Sequence, residues 1–243
     1  MAILTRRAES PCSSCLGCDS CSLVSALPPD MREEARRNRT IGDLSRGSVL
    51  FQEGGHPNGI WIICSGRVKI FKQSPDGKSL ITRTAQPGEM VGYRAFFNQE
   101  PFQATCEAME KTQVSFFEGS FITSLIVTCG DFALKMLTRL ARDLAAAESM
   151  ATNMAYRSAH DRVLDVLYEF HRREMEDGLT DGLQFAIPRR ELAELAGLTV
   201  ETTVRVLRSL EKEGYLTTDG RRINFVDTKK LIESARPLQF AEI

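Results

Sequence analysis

The chain has 243 residues, enough for one large domain or two modest ones and for a buried core. Its 42% hydrophobic and 26% charged residues exclude a mainly disordered chain, and no run of about 18 apolar residues is present to cross a membrane. Lys+Arg total 31 against 32 Asp+Glu, a net charge of −1, so any site for nucleic acid or an anionic surface has to be local.

Residues Met1–Ser22 form a polar, Ser- and Cys-rich head without helical or strand periodicity. No apolar segment follows Arg6 and Arg7, so the head does not read as a secretory signal and a cytoplasmic protein is expected. Four of the seven cysteines, Cys12, Cys15, Cys18 and Cys21, are spaced by two residues each. In a reducing compartment such clustering points to metal or redox chemistry rather than disulfides. Closely spaced thiolates suit an iron–sulfur cluster or tetrahedral zinc. Cys64 and Cys129 follow apolar runs and read as buried small hydrophobes.

Pro28 and Pro29 open a short charged helix, predicted over Asp30–Arg39. From Ile41 to Phe117 come short apolar runs: Val49–Phe51, Ile60–Cys64, Val68–Phe71, Leu80–Thr84, Met90–Val91 and Gln113–Phe117. Gly-rich turn signals separate them, among them Asp76-Gly77, a strong hairpin signal. Many short strands at near-regular spacing predict a β-sandwich or barrel-like roll. From Gly130 to Arg157 a long helix is predicted, with Leu137, Leu140, Leu144, Ala147, Ala151 and Met154 spaced 3, 4, 3, 4 and 3. That heptad seam predicts helix pairing in a dimer; the alternative is packing on the helix's own roll. A second helix follows over Ser158–Arg173, and Glu176–Gly182 reads as a loop.

Helices are predicted over Arg189–Ala196 and Val200–Glu213, joined by a turn at Gly197–Thr199 with Thr199 as N-cap and Gly214 as the stop. Two helices around a short glycine-containing turn are a helix-turn-helix signature. Tyr215–Thr218 and Arg221–Val226 around Asp219-Gly220 form the expected wing. Thr203, Val206, Leu207 and Leu210 can face inward, while Glu201, Val204, Arg205 and Arg208 share the opposite side. Arg205 can donate twice to guanine, Glu201 can accept from cytosine N4, and Val204 can touch a thymine methyl. Arg189, Thr199 and Thr202 stand near helix starts, where phosphates bind. The domain is not strongly basic: from 185 to 243 it holds 10 Lys+Arg and 9 Asp+Glu.

The order of roll, long helix and winged helix-turn-helix resembles the family of the catabolite activator protein and the fumarate-and-nitrate-reduction regulator, CRP/FNR. The resemblance covers about Ile41–Ala235. It is most specific at Leu195–Leu207, where Glu201 and Arg205 match the E-x-x-x-R recognition helix; Val204 departs from the usual serine or glycine. It implies a homodimer on a palindromic double-stranded DNA site with a TGA-type half-site, recruiting or blocking RNA polymerase. Cyclic-AMP-binding members clamp their ligand with a carboxylate and an arginine, and the matching positions here are Tyr93 and Phe102, so cyclic AMP is not expected. The head resembles the ligands of the oxygen-sensing branch. That branch uses three N-terminal cysteines and one on the roll, where this chain carries Ser115. Hence either Cys12, Cys15, Cys18 and Cys21 all ligate, or Cys106 supplies the fourth corner.

The expected fold is α+β: an N-terminal β-roll of cyclic-nucleotide-binding, jelly-roll type, a long dimerisation helix and a C-terminal winged helix-turn-helix. The expected divisions are a Cys-rich head at 1–40, a sensory roll at 41–129, a dimer helix at 130–157 and a DNA-binding domain at 158–243. The expected function is a cytoplasmic transcription factor sensing oxygen, nitric oxide or redox state through a [4Fe–4S] cluster, with no membrane partner. The rivals are a regulator with a small effector in the roll and structural zinc or redox thiols in the head, and a metal-dependent enzyme or electron carrier. No nucleophile–base pair, phosphate loop or paired-carboxylate motif favours an enzyme.

Overall fold

The computed structural model describes residues 4–5, 27–176 and 184–235. The four head cysteines and most of the loop read over Glu176–Gly182 lie outside these residues. In chain order come β1 (Leu4–Thr5), α1 (Pro29–Arg37), β2 (Arg39–Leu44), β3 (Val49–Phe51), β4 (Gly59–Ser65), β5 (Val68–Gln73), β6 (Ser79–Ala85), β7 (Met90–Val91), α2 (Tyr93–Asn98), β8 (Thr105–Ala108), β9 (Thr112–Glu118), α3 (Gly119–Thr128) and α4 (Gly130–Tyr156). There follow α5 (Ala159–Glu176), β10 (Gln184–Ala186), α6 (Arg189–Ala196), α7 (Val200–Lys212), β11 (Leu216–Asp219), β12 (Arg222–Phe225) and α8 (Thr228–Ser234). The chain divides into two compact units that part at Arg142 and Asp143 within α4; the hairpin tip Gln73–Leu80 is grouped with the second.

In the first unit one sheet runs β1-β2-β9-β4-β7 and the other β3-β8-β5-β6. β4 explains the architecture. Its apolar run is buried on both faces, the pattern of a central strand covered on both sides. Trp61 and Ile63 point into a core shared by both sheets, with Leu44, Val68, Ile70, Cys106 and Val114. Ile60, Ile62 and Cys64 point the other way, into a second core made with Leu27, Ala35, Phe117, Ile122, Leu125, Phe132 and Met136. Trp61 and Phe116 are register partners whose rings meet at 4.6 Å. At the start of β4 the backbones approach so closely that a Cβ on Gly59 would stand 2.1 Å from the Phe117 carbonyl oxygen. Only glycine fits there.

The roll differs from the sequence reading in detail. The charged helix ends at Arg37, capped by Asn38, because Arg39 already pairs with Phe117 in β2. The strands β2 and β8 and the helices α2 and α3 were not legible as apolar runs. β2 contains Gly42 and Asp43, and β8 alternates Cys106 and Ala108 with half-exposed neighbours.

α4 begins and ends within one residue of its predicted bounds. Its seam splits: Leu137 and Leu144 are exposed, at 63% and 61%, as are Ala147 and Ala151, whereas Leu140 is half-buried against the Phe132–Met136 core and Met154 is half-buried. Leu134 extends the exposed stripe. No single helix among the described residues is long and apolar enough to cross a membrane.

In the second unit α5, α6 and α7 pack together around Val163, Leu164, Leu167, Leu192, Leu207 and Leu210. The wing is a three-stranded sheet, β10-β12-β11, rather than a two-stranded hairpin. Phe185 of β10 pairs in register with Ile223, a partnership invisible in a segment read as the approach to α6.

Candidate nucleic-acid interface

α6 ends at Gly197, whose φ of 63° lies in the left-handed region that glycine adopts without strain. Its N–H donates to the Ala193 carbonyl, and the chain turns through Leu198 to Thr199. There the Thr199 hydroxyl accepts from the Thr202 N–H at 3.2 Å and caps α7. The fully buried Thr203 hydroxyl donates to the Thr199 carbonyl at 3.0 Å, a backbone acceptor that satisfies it inside the core. Leu207 and Leu210 share this inner face; Val206, read from the sequence as inward, is only half-buried.

The outer face carries Glu201, Arg205 and Arg208, all exposed, with Thr202 and Val204 half-buried beside them. No ion pair joins Glu201 to Arg205 among the described residues, although they stand one turn apart. Glu201 instead hydrogen-bonds its own backbone N–H and the Thr199 hydroxyl, which hold its carboxyl below the usual carboxylate range. It therefore stands as an ionised acceptor at neutral pH. From Glu201 to Arg208 the helix rises about 10 Å, roughly the span of three base pairs.

Arg189 sits differently from the exposed phosphate contact the sequence suggests. It is half-buried, its Nη1 is buried without a hydrogen-bond partner, and desolvation lowers its pKa against the opposing charge of Glu211. Glu211 in turn accepts from the Thr218 N–H at 2.8 Å and its hydroxyl at 2.7 Å, tying α7 to β11. Sequence reasoning passed over this clamp and the exposed Arg221 and Arg222 beside the wing turn. The Arg-Arg pair directly after Asp219-Gly220 was the available signal.

In the roll, Gly92-Tyr93-Arg94 and Phe102-Gln103-Ala104 line one cavity of about 170 Å³. Phe102 fills part of its wall, stacked on Phe51 at 4.1 Å. Arg83 donates to the Tyr93 hydroxyl at 3.0 Å. Among the described residues no cluster of three His, Cys, Asp or Glu side chains is positioned to hold a metal. Cys64, Cys106 and Cys129 form no disulfide with one another and are all buried. Cys64 Sγ lies 3.1 Å from Ser115 Oγ. Cys106 is fully buried between the sheets, and burial pushes its thiol pKa well above the ordinary value.

Two family models match the chain: a cyclic nucleotide-binding domain over residues 42–129 and a Crp-like helix-turn-helix domain over 161–234. The chain belongs to the CRP/FNR family. It is a DNA-binding transcription regulator, not an enzyme. This CRP/FNR regulator is 25% identical over 223 residues to the anaerobic regulatory protein of Pasteurella multocida, covering 89% of this chain and 81% of that one. It is 24% identical over 195 residues to a CRP-like cAMP-activated global transcriptional regulator of Mycobacterium tuberculosis, covering 80% and 87%. The structure of FixK2 from Bradyrhizobium japonicum superposes with a TM-score of 0.70 at 23% identity, covering 82% of this regulator and 98% of FixK2. The names of the two relatives point to different signals, so the signal has to be read from this chain's own residues.

Proposed function

We propose that this regulator binds a palindromic promoter site as a homodimer and responds to oxygen, nitric oxide or redox state through an iron–sulfur cluster in its N-terminal head. The observation that carries the DNA reading is the outer face of α7, where the Glu201 carboxylate and the Arg205 and Arg208 guanidiniums are all exposed on one side. Arg205 reads guanine, Glu201 reads cytosine and Val204 meets a thymine methyl. Arg208, Thr199 and Thr202 hold phosphates. Arg189, half-buried at the start of α6, adds a contact to the same backbone. The exposed stripe of Leu137, Leu144, Ala147 and Ala151 supports pairing of α4 with its copy, Leu140 and Met154 flanking it. RNA polymerase is the onward partner and the cytoplasm the compartment.

The sensing reading rests on the donor set. Cys12, Cys15, Cys18 and Cys21 offer four soft ligands on one short segment, the chemistry that iron–sulfur centres require. When bound, such a cluster supplies reactivity toward oxygen and nitric oxide. The full burial of Cys106 supports the four head cysteines as the ligand set. The divisions at 1–40, 41–129, 130–157 and 158–243 follow as head, sensor, dimer helix and reader. Cyclic AMP is not part of this reading, because Tyr93 and Phe102 stand where its clamp would be. Protein purified without oxygen tests the proposal: iron, sulfide and a visible absorption band that bleaches in air are expected. Zinc in place of iron would overturn the sensor and leave the DNA reading standing.

A further inference from the structure

Gly197, the pivot of the helix-turn-helix, is enclosed from three directions. A Cβ there would stand 3.0 Å from Met154 Cε in the last turn of α4, 3.3 Å from Leu80 Cδ1 at the hairpin tip and 3.4 Å from Arg162 Nη1 of α5. All four residues belong to the second unit. Arg162 does more than touch the turn. Its Nη1 donates to the Gly197 carbonyl at 3.3 Å, thirty-five positions along the chain. The arrangement has a cost, because Arg162 Nε is buried with no hydrogen-bond partner among the described residues. An orphaned buried donor is destabilising, so its persistence needs an explanation. What the guanidinium gains is a charge-assisted bond to one particular carbonyl. Apolar cover from Met154 and Leu80 on the same residue lowers the local dielectric and strengthens that bond.

We infer that Arg162 is a positioning residue for DNA reading: by holding the Gly197 carbonyl from α5, it sets the angle at which α7 presents Glu201 and Arg205. The inference rests on the reading face of α7 proposed above. α5 packs on both α6 and α7, and the Gly197 turn joins them. Two residues beyond Gly197, the Thr199 hydroxyl caps α7, and the Thr203 hydroxyl bonds the Thr199 carbonyl. A displaced turn therefore carries the start of α7 with it. From Thr199 to Arg205 the helix rises about 9 Å, so a tilt of about 10° moves Arg205 by roughly 1.5 Å. A recognition site tolerates only about 0.5 Å. Contacts to base edges need that precision, whereas contacts to the repeating phosphate backbone carry no sequence information and survive a small tilt. The guanidinium is oriented for the turn carbonyl at the expense of its own full pairing.

The test uses the full chain, a duplex selected from random sequence by the unaltered protein, and a scrambled duplex at the same salt concentration. Arg162→Met keeps the apolar stem and removes the donors. Its affinity for the selected duplex should fall by roughly tenfold or more, and for the scrambled duplex by less than about twofold. The melting temperature should stay level or rise, because the orphaned Nε is removed as well. Arg162→Lys, which can place one donor on the carbonyl, should restore most of the affinity ratio. The nitrogen resonance of the Leu198 amide, directly after the bonded carbonyl, should shift in Arg162→Met and return toward its original position in Arg162→Lys. If Arg162→Met does not fold, Arg162→Gln, polar but too short to reach, is measured in its place. An unchanged ratio overturns the positioning role. So does an equal fall on both duplexes, which would mark a general loss of structure, and so does failure of Arg162→Lys to restore the ratio. Arg205→Ala, measured alongside, separates the two readings. A ratio lost in Arg162→Met and kept in Arg205→Ala would move the base contact and leave Arg162 in its role.

Discussion

Arg157, the residue directly after α4, grips Asp165 of α5 with two bonds: Nη2 to Oδ1 at 2.8 Å and Nε to Oδ2 at 3.2 Å. Asp165 is fully buried. Removing one partner of a buried ion pair costs more than the pair contributes, so Arg157→Met should destabilise the second unit by about 3–5 kcal/mol. The double change Arg157→Met with Asp165→Leu should recover most of that loss. Urea unfolding of the two proteins checks this, and equal loss in both would show that the pair is not the source.

Arg205→Ala should lose roughly 1–3 kcal/mol per half-site and, with it, preference for the specific sequence. Arg208→Ala, at a phosphate, should weaken specific and scrambled duplexes alike. Titrations on both duplexes at one salt concentration read the ratio. An unchanged ratio in Arg205→Ala would put sequence reading elsewhere.

Thr199→Val removes the hydroxyl that caps α7 and bonds Glu201. A lost N-cap costs about 1 kcal/mol. The Glu201 carboxyl is held below its ordinary range in the folded protein, so its contribution is present above the unfolded pKa and lost as pH falls through the folded one. In Thr199→Val its titration should move back up toward the ordinary carboxylate value. NMR titration of the Glu201 side chain measures this directly.

Leu144→Glu and Leu140→Glu should fail in different ways. Leu144 is exposed, so its variant should fold, sediment as a monomer and lose tight operator binding. Leu140 packs on the core of its own chain, so its variant should lose folding stability as well. A dimeric Leu144→Glu protein with full operator affinity would place the dimer contact outside the α4 stripe.

Cys12→Ser, Cys15→Ser, Cys18→Ser and Cys21→Ser should each lose iron and sulfide, whereas Cys106→Ser should keep both. Cys106 lies in the sheet core, where its replacement alters packing and not ligation. Iron content per chain, measured before exposure to air, separates the cases. Loss of iron only in Cys106→Ser would reverse the ligand assignment.

Local patterns in the chain determined a good deal. Alternating apolar residues marked most strands of the roll, and the Gly197 turn with the Thr199 cap marked the helix-turn-helix, because such signals act over a few neighbouring residues. The Glu201, Arg205 and Arg208 stripe followed from helical periodicity alone. Tertiary structure decided what depends on partners distant in sequence. β8 and β10 exist because Val49 faces Glu107 and Ile223 faces Phe185 across the sheets, and a short strand has no period long enough to announce itself. The heptad seam read as uniform, yet the roll's core claims Leu140 and leaves Leu144 exposed, since a helix of this length can serve two neighbours on two faces. That Arg189 is half-buried near the charge of Glu211 was likewise not visible in the sequence. The meeting of Glu89, Arg83 and Arg139 joins residues up to fifty-six positions apart, and only the folded roll brings their charges together.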